Sequence, residues 1–267
     1  MKKLIILLLA LLGILIGCSH EEILEYNMFY RYENNEYIDI NFYKNGSEEN
    51  ANDILCLIDY WNTMLDHEHV NDTKNNLAAL NVNKYATLDA KLVELIEYTI
   101  DLSTSYKVVN PLYGTLKDLW DLHMITEELP TENECLTQIE VSLSTRVAIN
   151  DNDVHLLGDG LIDLDYIKKG FIGEKIKEYL ISKGIDRYVI NYNADLVLYG
   201  KNKNGGSFET SFYGMKNGTY NLSDITLARV TADNNCFYTK DGRRWADIPS
   251  FVTGVPNDTF ETLFVLG

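Results

Sequence analysis

The stretch Ile162-Asp163-Leu164-Asp165-Tyr166-Ile167-Lys168-Lys169-Gly170 decides how the rest of this sequence is read. Residues 160–164 read as a strand that delivers the chain to a turn. A clear helix follows over 173–183, and Gly184 ends it as a C-terminal glycine. A helix start presents free N–H groups and a positive dipole end, which suit phosphate. Lys168 and Lys169 add point charges of the right sign, and Gly170 lets the backbone approach a ligand. A phosphate-bearing ligand is one reading of this turn. A basic surface turn is the other.

Working outward, residues 188–192 and 196–199 read as strands joined through Asn193-Ala194-Asp195. Further strand-like runs follow at 225–230 and 264–266, after Gly/Asn-rich connections over 201–222. Upstream, residues 37–43 alternate polar and apolar, the mark of a half-buried strand. Apolar residues at 54, 55, 57, 58, 61, 64 and 65 predict a helix capped by Asn52 or Asp53. The Asn-rich run 70–86 reads as a loop or short turns. Asp89 caps a second helix with Leu92, Val93, Leu95, Ile96, Ile100 and Leu102 inward. A turn at Pro111 leads into a short helix ending near Trp120, and a loop at 129–133 leads to another amphipathic segment. Residues 149–157 read as a hairpin about Asp151-Asn152. Helices dominate early and strands late, so the chain is expected to be α+β, with no internal repeat.

Composition narrows the function. A 46% hydrophobic chain can bury a sizeable core. A net charge of −17 argues against nucleic acid as a partner and would welcome a cation, although most of this acidity reads as solvated surface. Met1-Lys2-Lys3, an apolar run over 4–16 and Gly17-Cys18 have the layout of a bacterial secretory signal. The run is short of the ~20 residues a spanning helix needs. Gly17-Cys18 resembles a lipobox, with Cys18 diacylated. The expected organisation is a signal peptide over 1–18, a tether over 19–27 and a folded domain over 28–267, held by lipid on the extracytoplasmic face of the cell membrane. An uncleaved anchor or an ordinary signal peptide is the alternative. Cys56, Cys135 and Cys236 have no CxxC spacing, which implies neither a disulfide framework nor a zinc site, and Cys56 reads as core. His67 and His69 are spaced to share a strand face at a metal, but they read as a solvated loop.

Asp258 and Thr262 stand four apart and would share one face of a helical turn. Both are hard oxygen ligands suited to Mg²⁺, with helix capping as the bland reading.

Taken in order, these segments resemble the FAD:protein FMN transferases of the ApbE type, once described as thiamine-biosynthesis lipoproteins. The family's I-D-L-G-G-I-A-K-G-Y is similar to Ile162 through Gly170-Phe171 here. Its strand and N-G-G-D turn are similar to Tyr188 through Asn193-Ala194-Asp195. Its G-A-F-D-P-T-V-G-P-L-x-x-L-W is similar to the run from Lys107-Val108-Val109-Asn110-Pro111 to Trp120. Its D-A-L-A-T-A-L-F-V-L-G resembles Asp258 through Gly267, one residue shorter. The resemblance implies a single ApbE-like α+β domain with helices packed on mixed or antiparallel sheets. It also implies an activity: Mg²⁺-dependent transfer of FMN from FAD, the substrate, to a Thr or Ser of an acceptor flavoprotein, releasing AMP. Carried over by position, Met28, Val108, Val109, Asn110, Asp163, Lys169 and Ile248 would bind FAD. Asp258, Thr262 and a main-chain carbonyl near Tyr166 would hold the metal.

The chain departs from the family at several points. Asp247 stands where the family has its acid–base histidine, so no catalytic residue is assigned. A carboxylate is a weaker base at neutral pH, its reference pKa being ~4. Asp165-Tyr166 replaces the Gly-Gly pair and Val230-Thr231-Ala232-Asp233 replaces A-T-S-G. Asn257-Asp258 follows Pro256 at once, where the family has a strand between, and the family continues beyond the position of Gly267. Three readings stay open: a divergent transferase, an inactive paralogue that binds flavin or metal, and a lipid-anchored binding protein.

Overall fold

Strict alternation of buried and accessible side chains builds the main sheet. β2 (Tyr37–Lys44) buries Ile38, Ile40 and Phe42, and β6 (Arg187–Tyr192) buries Tyr188, Ile190 and Tyr192. Their register sets Ile38 against Tyr192, Ile40 against Ile190 and Phe42 against Tyr188, so one face is continuously apolar. β1 (Tyr26–Arg31) flanks β2, while β7 (Leu196–Tyr199), β10 (Ile225–Thr231) and β13 (Thr262–Leu266) extend the other side. The order is β1-β2-β6-β7-β10-β13, with every neighbour antiparallel. The expected strands at 37–43, 188–192, 196–199, 225–230 and 264–266 all lie in this sheet.

The computed structural model describes residues 26–32, 36–106, 110–211, 218–231, 236–246, 250, 253–256 and 262–267. The expected signal peptide with Cys18, and nearly all of the expected tether, fall outside the described residues. Among the described residues no helix is long and apolar enough to cross a membrane.

Helices cover the apolar face. α1 (Glu48–Met64) contributes Ile54, Ile58 and Trp61 to the core, and α3 (Ala90–Tyr106) contributes Leu92, Val93, Leu95 and Ile96. α6 (Asp165–Ser182) contributes Ile172, Ile176 and Leu180. Burying each such aliphatic side chain is worth ~1.5–3 kcal/mol. Asp89 caps α3 as expected, its carboxylate accepting the Lys91 N–H at 2.8 Å. A smaller sheet of β3 (Tyr85–Thr87), β5 (Asp153–Leu157) and β4 (Arg146–Asn150) carries the expected hairpin about Asp151-Asn152. α4 (Gly114–Thr126) and α5 (Glu132–Ser144) pack together around Leu116, Trp120, Cys135 and Ile139. Phe237 of β11 (Cys236–Tyr238), which pairs with β12 (Arg244–Ala246), completes this second core, and β8 (Phe208–Thr210) pairs with β9 (Tyr220–Leu222). The result is one α+β domain with antiparallel sheets.

Four expectations change. α1 starts at Glu48, not after Asn52 or Asp53. Ser47 accepts the Asn50 N–H, and the Asn50 side chain accepts the Ser47 N–H, a reciprocal cap that forms earlier. Residues 70–86 are not all loop. Asn76 caps α2 (Leu77–Asn83), whose Leu77 and Leu80 are fully buried, and β3 follows. Residues 160–164 are not a ladder strand, since Leu161 makes only a single parallel bridge to Tyr113, and α6 begins at once at Asp165. Gly184 does end α6, with φ +66 just past Lys183. Cys56 is exposed on α1 rather than buried.

Candidate functional site

A segment without a ladder must satisfy its peptide groups elsewhere. Residues 160–163 do so through side chains and loops. The Gly160 N–H donates to Thr145 Oγ1 (2.8 Å), and its carbonyl accepts from Lys84 Nζ (3.1 Å). The Leu161 carbonyl accepts the Gly114 N–H at 3.1 Å. Asn81, buried on α2, accepts the Ile162 N–H (2.8 Å) and donates to the Ile162 carbonyl (2.9 Å). The Asp163 N–H reaches the Pro111 carbonyl at 2.9 Å. This clamp delivers Asp163 to the N-terminus of α6, where its Oδ1 accepts the Asp165 N–H at 2.7 Å.

His67 meets this pair from the loop after α1. Asp66 Oδ1 accepts the N–H groups of Glu68 and His69, both at 2.9 Å, and ties the loop into a turn. The turn sends His69 outward and His67 inward, with the His67 side chain only 7% exposed. His67 Nδ1 stands 3.9 Å from Oδ1 of Asp163 and 3.9 Å from Oδ1 of Asp165. The expectation of a solvated loop therefore holds for His69 and fails for His67. Burial, reinforced by the Asp165 charge, raises the Asp163 pKa above the usual carboxylate range, and the His67 and Lys117 charges oppose this. Burial and then Asp163 likewise push the Tyr166 phenol up.

Lys169 lies one turn into α6. Its ammonium donates to Asp195 Oδ2 at 2.7 Å and stands 3.4 Å from Glu36, while Arg229 approaches Asp195 from another side at 3.7 Å. Asp195 closes a tight turn in which Asn193 and Ala194 both take positive φ. Lys169 is thus paired across the β6–β7 turn. Gly170 faces open space, with nothing within 4 Å of an added Cβ. It lines a largely apolar cavity of 490 Å³ with Leu95, Tyr98, Phe171, Leu196 and Ala228. Neither His67, Asp163 nor Lys169 lines it.

The structure brings some predicted residues together. Asn110 Oδ1 accepts the Leu112 N–H at 2.9 Å, in the same turn whose Pro111 carbonyl holds Asp163. Tyr166 sits in the first turn of α6. Met28 lies apart on β1, half-buried against the core and opposite Ile40. Thr262 opens β13 opposite Thr231, so it belongs to a strand and not to the expected helical turn. Val108, Val109, Asp247, Ile248 and Asp258 lie outside the described residues. In the sequence His67 reads as solvated because periodicity does not reveal which way a loop side chain points. The signal available was Asp66, a turn-forming residue just before it.

A family model described as the ApbE family matches residues 37–264. No curated protein sequence matches the chain. Among solved structures, the flavin transferase ApbE from Vibrio cholerae superposes with a TM-score of 0.69 at 16% identity, over 91% of this chain and 82% of that one. The flavinyl transferase ApbE of Pseudomonas stutzeri gives 0.73 at 12%, over 91% and 79%. The apbe protein of Thermotoga maritima gives 0.75 at 15%, over 91% and 81%. At these identities the structural likeness is one of fold. The family match spans nearly the whole folded part, and on that ground this chain belongs to the ApbE family.

Proposed function

We propose that the protein transfers FMN from FAD to a Thr or Ser hydroxyl of an acceptor flavoprotein. The hydroxyl oxygen would attack the FMN phosphorus and form the phosphoester. The pyrophosphate bond breaks, AMP leaves with the bridging oxygen, and the hydroxyl proton passes to a base. The family match over 37–264 carries this reading. Met28, Val108, Val109, Asn110, Asp163, Lys169 and Ile248 are the residues proposed for FAD. Lys169 would exchange part of its contact with Asp195 for a phosphate, and the apolar cavity at Gly170 suits a flat heteroaromatic ring. Asp258, Thr262 and the main-chain carbonyl at Tyr166 form a set of hard oxygen donors that fits Mg²⁺. When bound, Mg²⁺ neutralises phosphoryl charge and orients the oxygens. Cys18 would hold the protein to the outer face of the membrane.

A second reading, an inactive flavin- or metal-binding paralogue, is favoured by two features. Asp247 replaces the family histidine, and Tyr166 puts a bulky side chain on the first turn of α6 where the family has glycine. The test is to incubate the detergent-solubilised chain with FAD and Mg²⁺, with and without EDTA, and to follow AMP and FMN by chromatography. Metal-dependent AMP release that disappears in Asp258→Ala supports the transferase. FAD binding with no AMP released, in protein folded by circular dichroism, supports the paralogue. Neither binding nor turnover would leave a lipid-anchored binding protein.

A further inference from the structure

We propose that His67, Asp163 and Asp165 form a binding site for a divalent transition-metal ion, built from residues other than Asp258 and Thr262. Three different segments converge there: the loop after α1, the clamped segment 160–163, and the first turn of α6. One candidate donor atom from each residue lies within 4.8 Å of the others. A bond of ~2.1 Å to each donor needs donor spacings of ~3.0–3.4 Å, so the two 3.9 Å distances from the imidazole must close by roughly half an ångström or more, within a cluster that spans up to 4.8 Å. Asp165, 41% exposed, has that freedom and leaves one side of the site open to water. Asp163 and His67, nearly closed off from solvent, form the buried wall, and their own 3.9 Å gap closes by small side-chain rotations when an ion binds.

The second observation is on the imidazole itself. His67 Nε2 is buried and makes no hydrogen bond. Among the described residues Nδ1 makes no hydrogen bond either: it is aimed at the Asp163 and Asp165 carboxylates from 3.9 Å, beyond hydrogen-bond reach, on a side chain only 7% exposed. If Nδ1 ligates an ion, the ring must be neutral and Nε2 must carry its proton. The Glu68 carboxylate stands 3.9 Å from Nε2, placed to orient the ring from behind. Metal-bound histidines are commonly held by an outer carboxylate, and Glu68 would serve as one by closing from 3.9 Å to hydrogen-bond distance. The nearby cation does not block the site. Lys117, whose charge acts on both Asp163 and Asp165, donates to Asp121 at 2.8 Å.

The donor set selects the ion. One imidazole with two carboxylates suits Mn²⁺, Fe²⁺ or Zn²⁺, whereas Mg²⁺ favours oxygen donors alone. Such an ion would pin the loop after α1 to the head of α6.

Mn²⁺ alone is the probe. The full chain in detergent, stripped with EDTA, is titrated with MnCl₂ in excess Mg²⁺ and followed by electron paramagnetic resonance. We expect one tightly bound Mn²⁺ per chain, with a nitrogen coupling from a directly bound imidazole in pulsed spectra. His67→Ala should abolish that coupling, and both it and Asp165→Asn should weaken Mn²⁺ by about tenfold or more. Asp258→Ala should leave both signals intact. Asp165 is partly exposed, so its Asn variant should stay folded and keep the test valid if His67→Ala unfolds. Mn²⁺ fully displaced by Mg²⁺, no nitrogen coupling, or wild-type affinity in folded Asp165→Asn would each overturn the site.

Discussion

Asn81 holds the segment that carries Asp163 into the site. Its amide satisfies both peptide groups of Ile162, and no ladder stands behind it to take over. Asn81→Ala would leave a buried N–H and a buried carbonyl unpaired, at ~1–3 kcal/mol each. We expect about 2–4 kcal/mol of lost stability, or roughly 5–15 °C in the thermal midpoint for a domain of this size. Calorimetry checks this, and a shift within 1–2 °C would mean that water replaces the amide. The same loss should free Asp163 and weaken whatever binds there. At this scale the sequence was partly legible. Asp163 and Lys169 are candidates through the motif's resemblance to the family. The polar, solvated look of 66–69 concealed His67, whose direction is set by two hydrogen bonds to Asp66.

Among the elements, α5 offers the cleanest test of local coding. Thr131 and Glu134 form a reciprocal cap, with Glu134 accepting the Thr131 N–H at 2.7 Å and the Thr131 hydroxyl accepting the Glu134 N–H at 3.3 Å. Thr131→Ala should cost ~1 kcal/mol. The hydrogen bond from the Thr131 amide holds the Glu134 pKa below its ordinary value. A carboxylate lowered on folding stabilises fully above its unfolded pKa of ~4.3 and loses this as pH falls through the folded value. The stability gap between wild type and Glu134→Ala should therefore be complete at pH 7 and close below about pH 4 in urea melts. A gap independent of pH would show that the charge contributes nothing. α5 in turn shapes the second core, where Trp120 of α4 donates its indole N–H to the Gly254 carbonyl at 2.8 Å. That bond anchors the Thr253-Gly254 turn, and Gly254 leaves no room for a Cβ against Cys135.

Across the whole molecule, a net charge of −17 raises the local concentration of cations. The part of metal binding that comes from this field is screened by salt, since the Debye length is ~10 Å at 0.1 M and ~3 Å at 1 M. Mn²⁺ affinity should therefore fall several-fold between 0.05 and 0.5 M NaCl, while the nitrogen coupling of bound Mn²⁺ stays the same. If affinity does not change with salt, the direct ligands act without help from the surface charge. The same field should repel nucleic acid, and we expect no retention on heparin at 0.1 M NaCl.

The sequence by itself determined the elements whose signal is local. Alternation in 37–43 and 188–192 fixes which side chains of β2 and β6 face the core, and the spacing of apolar residues fixes the inner faces of α1 and α3. Asp89 marks the start of α3 and Gly184 the end of α6. The ordered motifs were enough to indicate the family. Tertiary structure alone decided what depends on distant partners. Residues 160–164 look like a strand, yet most of their hydrogen-bonding partners come from Asn81, Gly114 and Pro111, so no ladder forms. The Asn-rich run 70–86 hides α2, which is stabilised by burying Leu77 and Leu80 rather than by a long periodic pattern. His67 meets Asp163 and Asp165 only when α1 and α6 pack together. Periodicity reports a residue's near neighbours. Burial and ligation depend on residues that only the packed chain brings within a few ångströms.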